Sequence, residues 1–345
     1  MKVSTKDLPE FVMDVVSHGL VPFIVGSPGI GKSDIVRQVA KKFNLKLIDF
    51  RLGQCDQTDL LGYPSIVTVD DKKRSDYAPP LTFPLESDSI PEGYDGWLIF
   101  FDEMNVAGRS LQAIAYKVLL DRMIGEHKLH PNVVMVAAGN LETDNAVTNR
   151  LSTAMQSRLI HFELEANLEH WVKWANDTEI DYRIISFLQF KPGLLHKFNP
   201  EHDGNTFSCP RTWEFLSKII KSWKTIPVHK LPILIGTVGE GAAREFHAFV
   251  GIMESLPSID QLLANPDSVV IPKHDPGILF AIAGVVSHHI TEVNADTLMK
   301  IVVKLPIEFQ VICLGDVIKK DATLFDNKSI SDWRRDNAKL LLSSI

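Results

Sequence analysis

The stretch GSPGIGKS, Gly26 to Ser33, sets three glycines, a lysine and two serines within eight residues. Glycines at 26, 29 and 31 permit turns that other residues resist, so that main-chain N–H groups can converge on an anion at a helix start. Lys32 adds a cation that can reach β- and γ-phosphates, and Ser33 adds a hydroxyl suited to a hydrated Mg2+. Ser27, Pro28 and Ile30 complete the loop expected to hold the nucleotide. A second group lies in WLIFFDE, Trp97 to Glu103, where an apolar run ends in two carboxylates. Asp102 is suited to holding the hydration shell of Mg2+, and Glu103 to orienting and polarising a water molecule. Taken alone, two adjacent acids fit a solvated turn or a helix cap equally well, and it is the phosphate loop that favours chemistry. A third run, NVVMVAAGN, ends in Asn140, whose amide can hydrogen-bond an attacking water or a γ-phosphate.

These side chains act together only if secondary structure brings them to one place. The run LVPFIV before the loop has the length and branching of a strand buried on both faces. After the loop, Ile35, Val36, Val39, Ala40 and Phe43 form a helical stripe, so the loop lies between a strand and a helix. The runs ending at Asp102 and Asn140 read as further buried strands, and ligands of open α/β sheets bind at the C-terminal edge of such strands. A strand over 132–140 placed between those of the loop and of the acidic pair is the layout of ATPases with an added catalytic strand. No guanine-reading NKxD motif is present, because NKSI at Asn327 lacks the aspartate.

The chain has 345 residues, of which 45% are hydrophobic and 23% charged, enough for two or three domains with a substantial core. A net charge of −7 argues against a protein that coats nucleic acid or anionic membrane through its overall field, and leaves room for a local basic channel. No apolar run approaches the roughly 20 residues that span a bilayer. The N-terminus carries Asp7 and Glu10 where a secretory signal is apolar, which points to a cytoplasmic protein without membrane attachment. Cys55, Cys209 and Cys313 are isolated and read as buried thiols. The adjacent pair His288 and His289 reads as core or surface histidine rather than as a metal site.

GSPGIGKS, WLIFFDEMN, VVMVAAGN and LSTAMQSRL follow one another in the order of the Walker A, Walker B, sensor 1 and arginine-finger segments of AAA+ ATPases. The chain resembles that family and, within it, the MoxR and dynein-related group. The resemblance to the group rests on DLLG at Asp59 to Gly62 and on a β-hairpin expected near 62–84, with DDKK as its turn. The hairpin tip is either a solvated loop or, as in such assemblies, an element facing a central pore. The resemblance implies an α/β P-loop NTPase with a central parallel five-stranded sheet, then an all-helical lid and a C-terminal helical extension. The expected boundaries are 1–165 for the ATPase domain, 166–254 for the lid and 255–345 for the extension.

The resemblance also implies roles for two arginines. Arg158 matches the arginine finger, which serves a neighbouring subunit's phosphate, and Arg150 is either a helper there or a surface ion pair. Arg211, in SCPRTWEFLSKII with Ser208 as the expected N-cap, matches the sensor 2 arginine of the lid. Trp171 and Trp174 read as core rather than as a base-stacking platform. Two amphipathic helices are expected around GILFAIAGVVSHHI and ADTLMKIVVKLPIEFQVICLGDVIKK, the second broken by Pro306. The implied activity is Mg2+-dependent ATP hydrolysis by a homo-hexamer that remodels a partner protein, in this group often of the von Willebrand factor A type. The alternative is a nucleic-acid motor or loader, disfavoured by the acidic balance.

Overall fold

The computed structural model describes residues 2–144, 149–201, 204–272 and 274–338. The chain divides into two compact units, Met1–Asn167 with Phe198–His202, and Leu168–Lys197 with Asp203–Ile345.

The first unit runs β1 (Lys2–Val3), α1 (Leu8–Ser17), β2 (Val21–Val25), α2 (Lys32–Lys42), β3 (Leu45–Arg51) and α3 (Gln57–Leu61). It continues with β4 (Tyr63–Val69), β5 (Lys72–Ala78), β6 (Gly96–Asp102), α4 (Arg109–Asp121), β7 (Met123–Ile124) and β8 (His127–Lys128). It closes with β9 (Val133–Gly139), α5 (Thr153–Gln156) and β10 (Leu159–Leu164). The central sheet has the order β1-β10-β2-β9-β6-β3, and all its described pairings are parallel. It therefore has six strands rather than the expected five. The sixth is the two-residue β1, whose Lys2 and Val3 pair with Glu163 and Leu164, too short a segment to leave a periodic signal in sequence.

Alternation along the strands builds a core on each face of the sheet. Trp97, Ile99 and Phe101 of β6 pack towards α4, with Leu111, Ala115 and Val118. Leu98 and Phe100 point the other way and join Ile35, Val36 and Val39 of α2 and Val12 and Val16 of α1. Both faces being covered is why β6 and β9 read as unbroken apolar runs.

Between α3 and β6, the strands β4 and β5 form an antiparallel hairpin of their own. Its turn is only Asp70 and Asp71, at φ 51° and 59°, while Lys72 and Lys73 of the expected four-residue turn already pair with Val69 and Thr68. Aspartates tolerate the left-handed region, and two such residues match the twist of the flanking strands.

The second unit is helical: α6 (Leu168–Asp177), α7 (Tyr182–Phe190), α8 (Pro210–Ile220), α9 (Leu231–Val238) and α10 (Glu240–Ser255). Then come α11 (Ile259–Ala264), α12 (Pro276–His289), α13 (Ala295–Val302), α14 (Ile307–Lys320) and α15 (Lys328–Asp336). One continuous core runs from Trp171 to Trp333, so residues of the expected lid and of the expected extension pack into the same interior. Trp171 is buried and its ring lies 6.3 Å from that of Trp174. Helix α12 is not amphipathic: every residue from Ala281 to Ser287 is buried, because α7, α10 and α14 all pack against it. The N-cap of α8 is Cys209 rather than Ser208, since the Cys209 N–H donates to Thr212 Oγ1 at 2.9 Å. Pro306 is the N-cap of α14 and separates it from α13. His288 stacks on Tyr182 with centroids 4.2 Å apart, and burial pushes its pKa down to about 4. Among the described residues no helix is long and apolar enough to cross a membrane.

Asp316, on α14, is buried, and both its carboxylate oxygens accept from Gln189 Nε2, at 3.0 and 2.8 Å. Burial raises its pKa to about 6. The folded protein thus keeps a proton that the unfolded chain has already released between about pH 4 and pH 6. Stability falls as pH rises across that window and levels off above it. Asp316→Asn, which retains an acceptor for Gln189, is expected to stabilise the protein at pH 7 by about 2 kcal/mol. Denaturant unfolding of both forms at pH 7 and pH 4 checks this, the advantage shrinking at the lower pH.

Candidate nucleotide site

Strand register decides which side chains meet. Val25 pairs with Gly139, and Phe101 pairs with Ala137, so β2, β9 and β6 reach the same sheet edge side by side. Asp102 continues the alternation of Leu98 and Phe100, and Asn140 that of Val136 and Ala138. Both therefore fall on the face that packs α2, the helix that opens with Lys32 and Ser33.

The loop before α2 uses its glycines in two ways. Gly29 and Gly31 adopt φ 77° and 98°, the left-handed conformations that favour glycine. Gly26 does not; it is held to glycine by crowding, because a Cβ there would lie 2.5 Å from Ile30 Cδ1 and 3.0 Å from the Leu164 carbonyl. Lys32 is buried at 8% exposure, and its ammonium donates to the carbonyls of Gly26 at 2.6 Å and Ser27 at 3.1 Å. The same ammonium donates to Asn140 Oδ1 at 3.2 Å. Ser33 Oγ donates to Asp102 Oδ2 at 2.7 Å, and the other oxygen of Asp102 accepts the Glu103 N–H at 2.9 Å. The expected loop, Gly26 to Ser33, is thus joined directly to Asp102 and Asn140 across three strands.

Glu103 leaves the strand with φ 56°, unusual for a residue other than glycine. That turn lets Met104 N–H rejoin the sheet by donating to the Ala138 carbonyl at 2.9 Å. It also places the Glu103 carboxylate against Gly53, where a Cβ would stand 3.1 Å from Oε2. The carboxyl of Asp49, on neighbouring β3, is held above the usual range by desolvation first and then by the negative charge of Asp102. Excess negative charge at this edge, with hard oxygen donors on Ser33 and Asp102, suits a small divalent cation such as Mg2+.

Arg158 follows α5 and is exposed. Its guanidinium lies 5.7 Å from the Tyr116 ring centroid, and Nη1 donates to the Ala154 carbonyl at 3.0 Å, so it takes no part in the bonds around Lys32 and Asp102. Arg150 is exposed too, 3.9 Å from Glu142. Arg211 sits exposed in the first turn of α8, in the second unit.

One residue with a clear place in this network carried no role in the sequence reading. Asn105, only 5% exposed, donates from Nδ2 to the Asn140 carbonyl at 2.7 Å and accepts the Asn140 N–H on Oδ1 at 3.0 Å. Its signal was its place two residues after Glu103 in the quoted WLIFFDEMN segment. A cleft of about 460 Å3 is lined by Asn105 and Asn140 together with Phe23, Leu151 and His161.

Residues 22–160 match the family model for AAA, the ATPase family associated with various cellular activities. The matched segment has the α/β fold of a P-loop NTPase, built on the parallel six-stranded sheet. No curated protein matches the sequence. Among solved structures, the chain is similar to a mutant of Thermotoga maritima RuvB, at 14% identity and a TM-score of 0.41, over 76% of this chain and 77% of that one. It is likewise similar to the Thermotoga maritima RuvB Holliday junction branch migration motor, at 14% identity and a TM-score of 0.39, over 76% and 75%.

Lys32→Ala removes the cation that bonds the carbonyls of Gly26 and Ser27 and is expected to weaken nucleotide affinity about 10- to 100-fold, as loss of a charged hydrogen bond does. Titration with a fluorescent ATP analogue measures it; unchanged affinity would remove Lys32 from the site.

Proposed function

We propose that the protein is a Mg2+-dependent ATP hydrolase that works as a ring and spends the energy of hydrolysis on remodelling a partner protein. The observation that carries the reading is the Ser33 to Asp102 hydrogen bond of 2.7 Å, together with Lys32 bonded to Asn140, on one sheet edge. In this reading the amides of Gly26 to Ser33 bind the phosphates and Lys32 exchanges its carbonyl partners for β- and γ-oxygens. Ser33 and Asp102 hold Mg2+, which when bound offsets charge on the β- and γ-phosphates. Glu103 orients a water molecule and draws on its proton, while Asn140 fixes the water or the γ-phosphate from the next strand. Arg158, exposed after a short helix, acts on the site of an adjacent subunit, where its charge stabilises the transition state. Arg211 reports loss of the γ-phosphate to the helical unit.

A hexamer and a von Willebrand factor A-type partner are finer parts of the proposal and rest on the resemblance to the MoxR group through DLLG and the hairpin; a cytoplasmic location is proposed with them. The β4–β5 hairpin, with Tyr63 and Ile66 exposed, supports a protein-contacting ring.

Glu103→Gln is expected to bind ATP as the native chain does and to lose about 10²- to 10⁴-fold in turnover. Equal turnover in the two forms rejects the mechanism. Arg158→Ala should be as inactive alone, but mixing it with Glu103→Gln should restore activity, because some interfaces then combine an intact Glu103 with an intact Arg158. No recovery on mixing would exclude action in trans. Turnover stimulated by duplex DNA, and lost steeply with salt, would turn the reading towards a nucleic-acid motor.

A further inference from the structure

We infer that Asn105 is a positioning residue that sets Asn140 for catalysis and ties it to the segment leading to Arg158; this rests on the hydrolase reading above. The carboxamide of Asn105 makes a reciprocal pair of hydrogen bonds with the main chain of Asn140, donating to its carbonyl at 2.7 Å and accepting its N–H at 3.0 Å. A side chain that satisfies both main-chain groups of one residue fixes where that residue points, and Asn140 points its Oδ1 at Lys32. Asn140 stands at the end of β9, past the last residue of the sheet ladder, so the ladder alone does not fix it.

The backbone is shaped to admit this carboxamide. At Gly139 a Cβ would come within 2.5 Å of Asn105 Oδ1, 2.8 Å of Phe23 Cζ and 2.9 Å of Asn105 Cγ, so glycine leaves room for both the amide and the ring at the strand end. Asn105 is also held from the other side, where its carbonyl accepts the Asn149 N–H at 2.6 Å. Asn149 in turn donates through Nδ2 to the Ala107 carbonyl at 3.0 Å, and Gln112 Nε2 bonds both the Ala107 and Asn149 carbonyls, at 3.0 and 3.3 Å. Asn149 immediately precedes Arg150, and Ser152 caps the helix that ends before Arg158. The turn bearing Glu103 is thus linked through carboxamides to the γ-phosphate end of the site and to the arginine segment. Asn105 itself acts through Asn140 and touches no substrate.

The consequence is a split between binding and turnover. Asn105→Ala in the full chain is expected to leave affinity for a fluorescent ATP analogue within about twofold and to lower kcat at least tenfold. In an Asn140→Ala background the same substitution should lower kcat no further, because the residue it positions is gone. Asn105→Asp, which keeps an acceptor for the Asn140 N–H but loses the donor to its carbonyl, should also lower kcat, and it serves if Asn105→Ala does not fold. Multiplying effects in the double variant, or native kcat in both single variants, overturns the inference. Loss of turnover in Glu103→Gln alongside either result would show that the hydrolase reading stands while the role of Asn105 falls; native turnover in Glu103→Gln would sink both.

Discussion

The candidate site depends on lateral registry in a parallel sheet. The strand that delivers the phosphate loop and the strand that delivers Asp102 are not neighbours; β9 lies between them and sets their spacing and stagger. With Val25 beside Gly139 and Phe101 beside Ala137, three strand ends finish within one hydrogen-bonding row of each other. A slip of one residue in β6 would turn Asp102 to the α4 face and bring Phe101 to the face of Ser33. The hydrophobic alternation that fills the two cores is therefore also what selects which acid meets the loop. Packing and chemistry here share a single constraint.

Much of this was legible in sequence because it is periodic or local. The phosphate loop carries its own signature, and the unbroken apolar runs at 97–101 and 133–138 could only be strands covered on both sides. The middle placement of β9 came with the likeness to ATPases that carry an added catalytic strand. What sequence did not show was short or non-local. β1 has two residues, and its pairing with β10 lies more than 150 positions away. The one-residue difference in the cap of α8 arises from Thr212 folding its hydroxyl back to the Cys209 N–H, a contact that outweighs the general preference for serine. The all-round burial of α12 was hidden because small residues such as Ala281, Ala283 and Gly284 read as a weak face, whereas in the fold they allow close approach by neighbouring helices. The reciprocal bonds of Asn105 depend on a partner 35 positions away, and its nearness to Glu103 in sequence does not by itself foretell them.

Strain and desolvation are distributed unevenly. In the first unit the left-handed Glu103 carries a cost of about 1–3 kcal/mol, held in place on both sides by Asp102 accepting its N–H and by Met104 rejoining the sheet. In the second unit the cost is one of charge, with Asp316 ionised in the interior above pH 6 and the Asp181–Arg183 pair enclosed at 2.6 Å. The ion pair is answered by the carbonyls of Ile220 and Trp223, which accept from the guanidinium, and by the Asp181 N–H donating to Ser217. Among the described residues Asp316 is answered by the Gln189 amide and the charge of Lys319.

Helix α12 has one more implication. It is enclosed by α7 and α10, which precede it, and by α14, which follows it. A shortened chain ending near residue 255 would strip the inner faces of α7 and α10 of their cover and leave Phe190, Phe249 and Met253 facing water. Residues 259–336 are thus scaffolding for the helices before them, and recombination between genes could exchange the helical unit only as a whole.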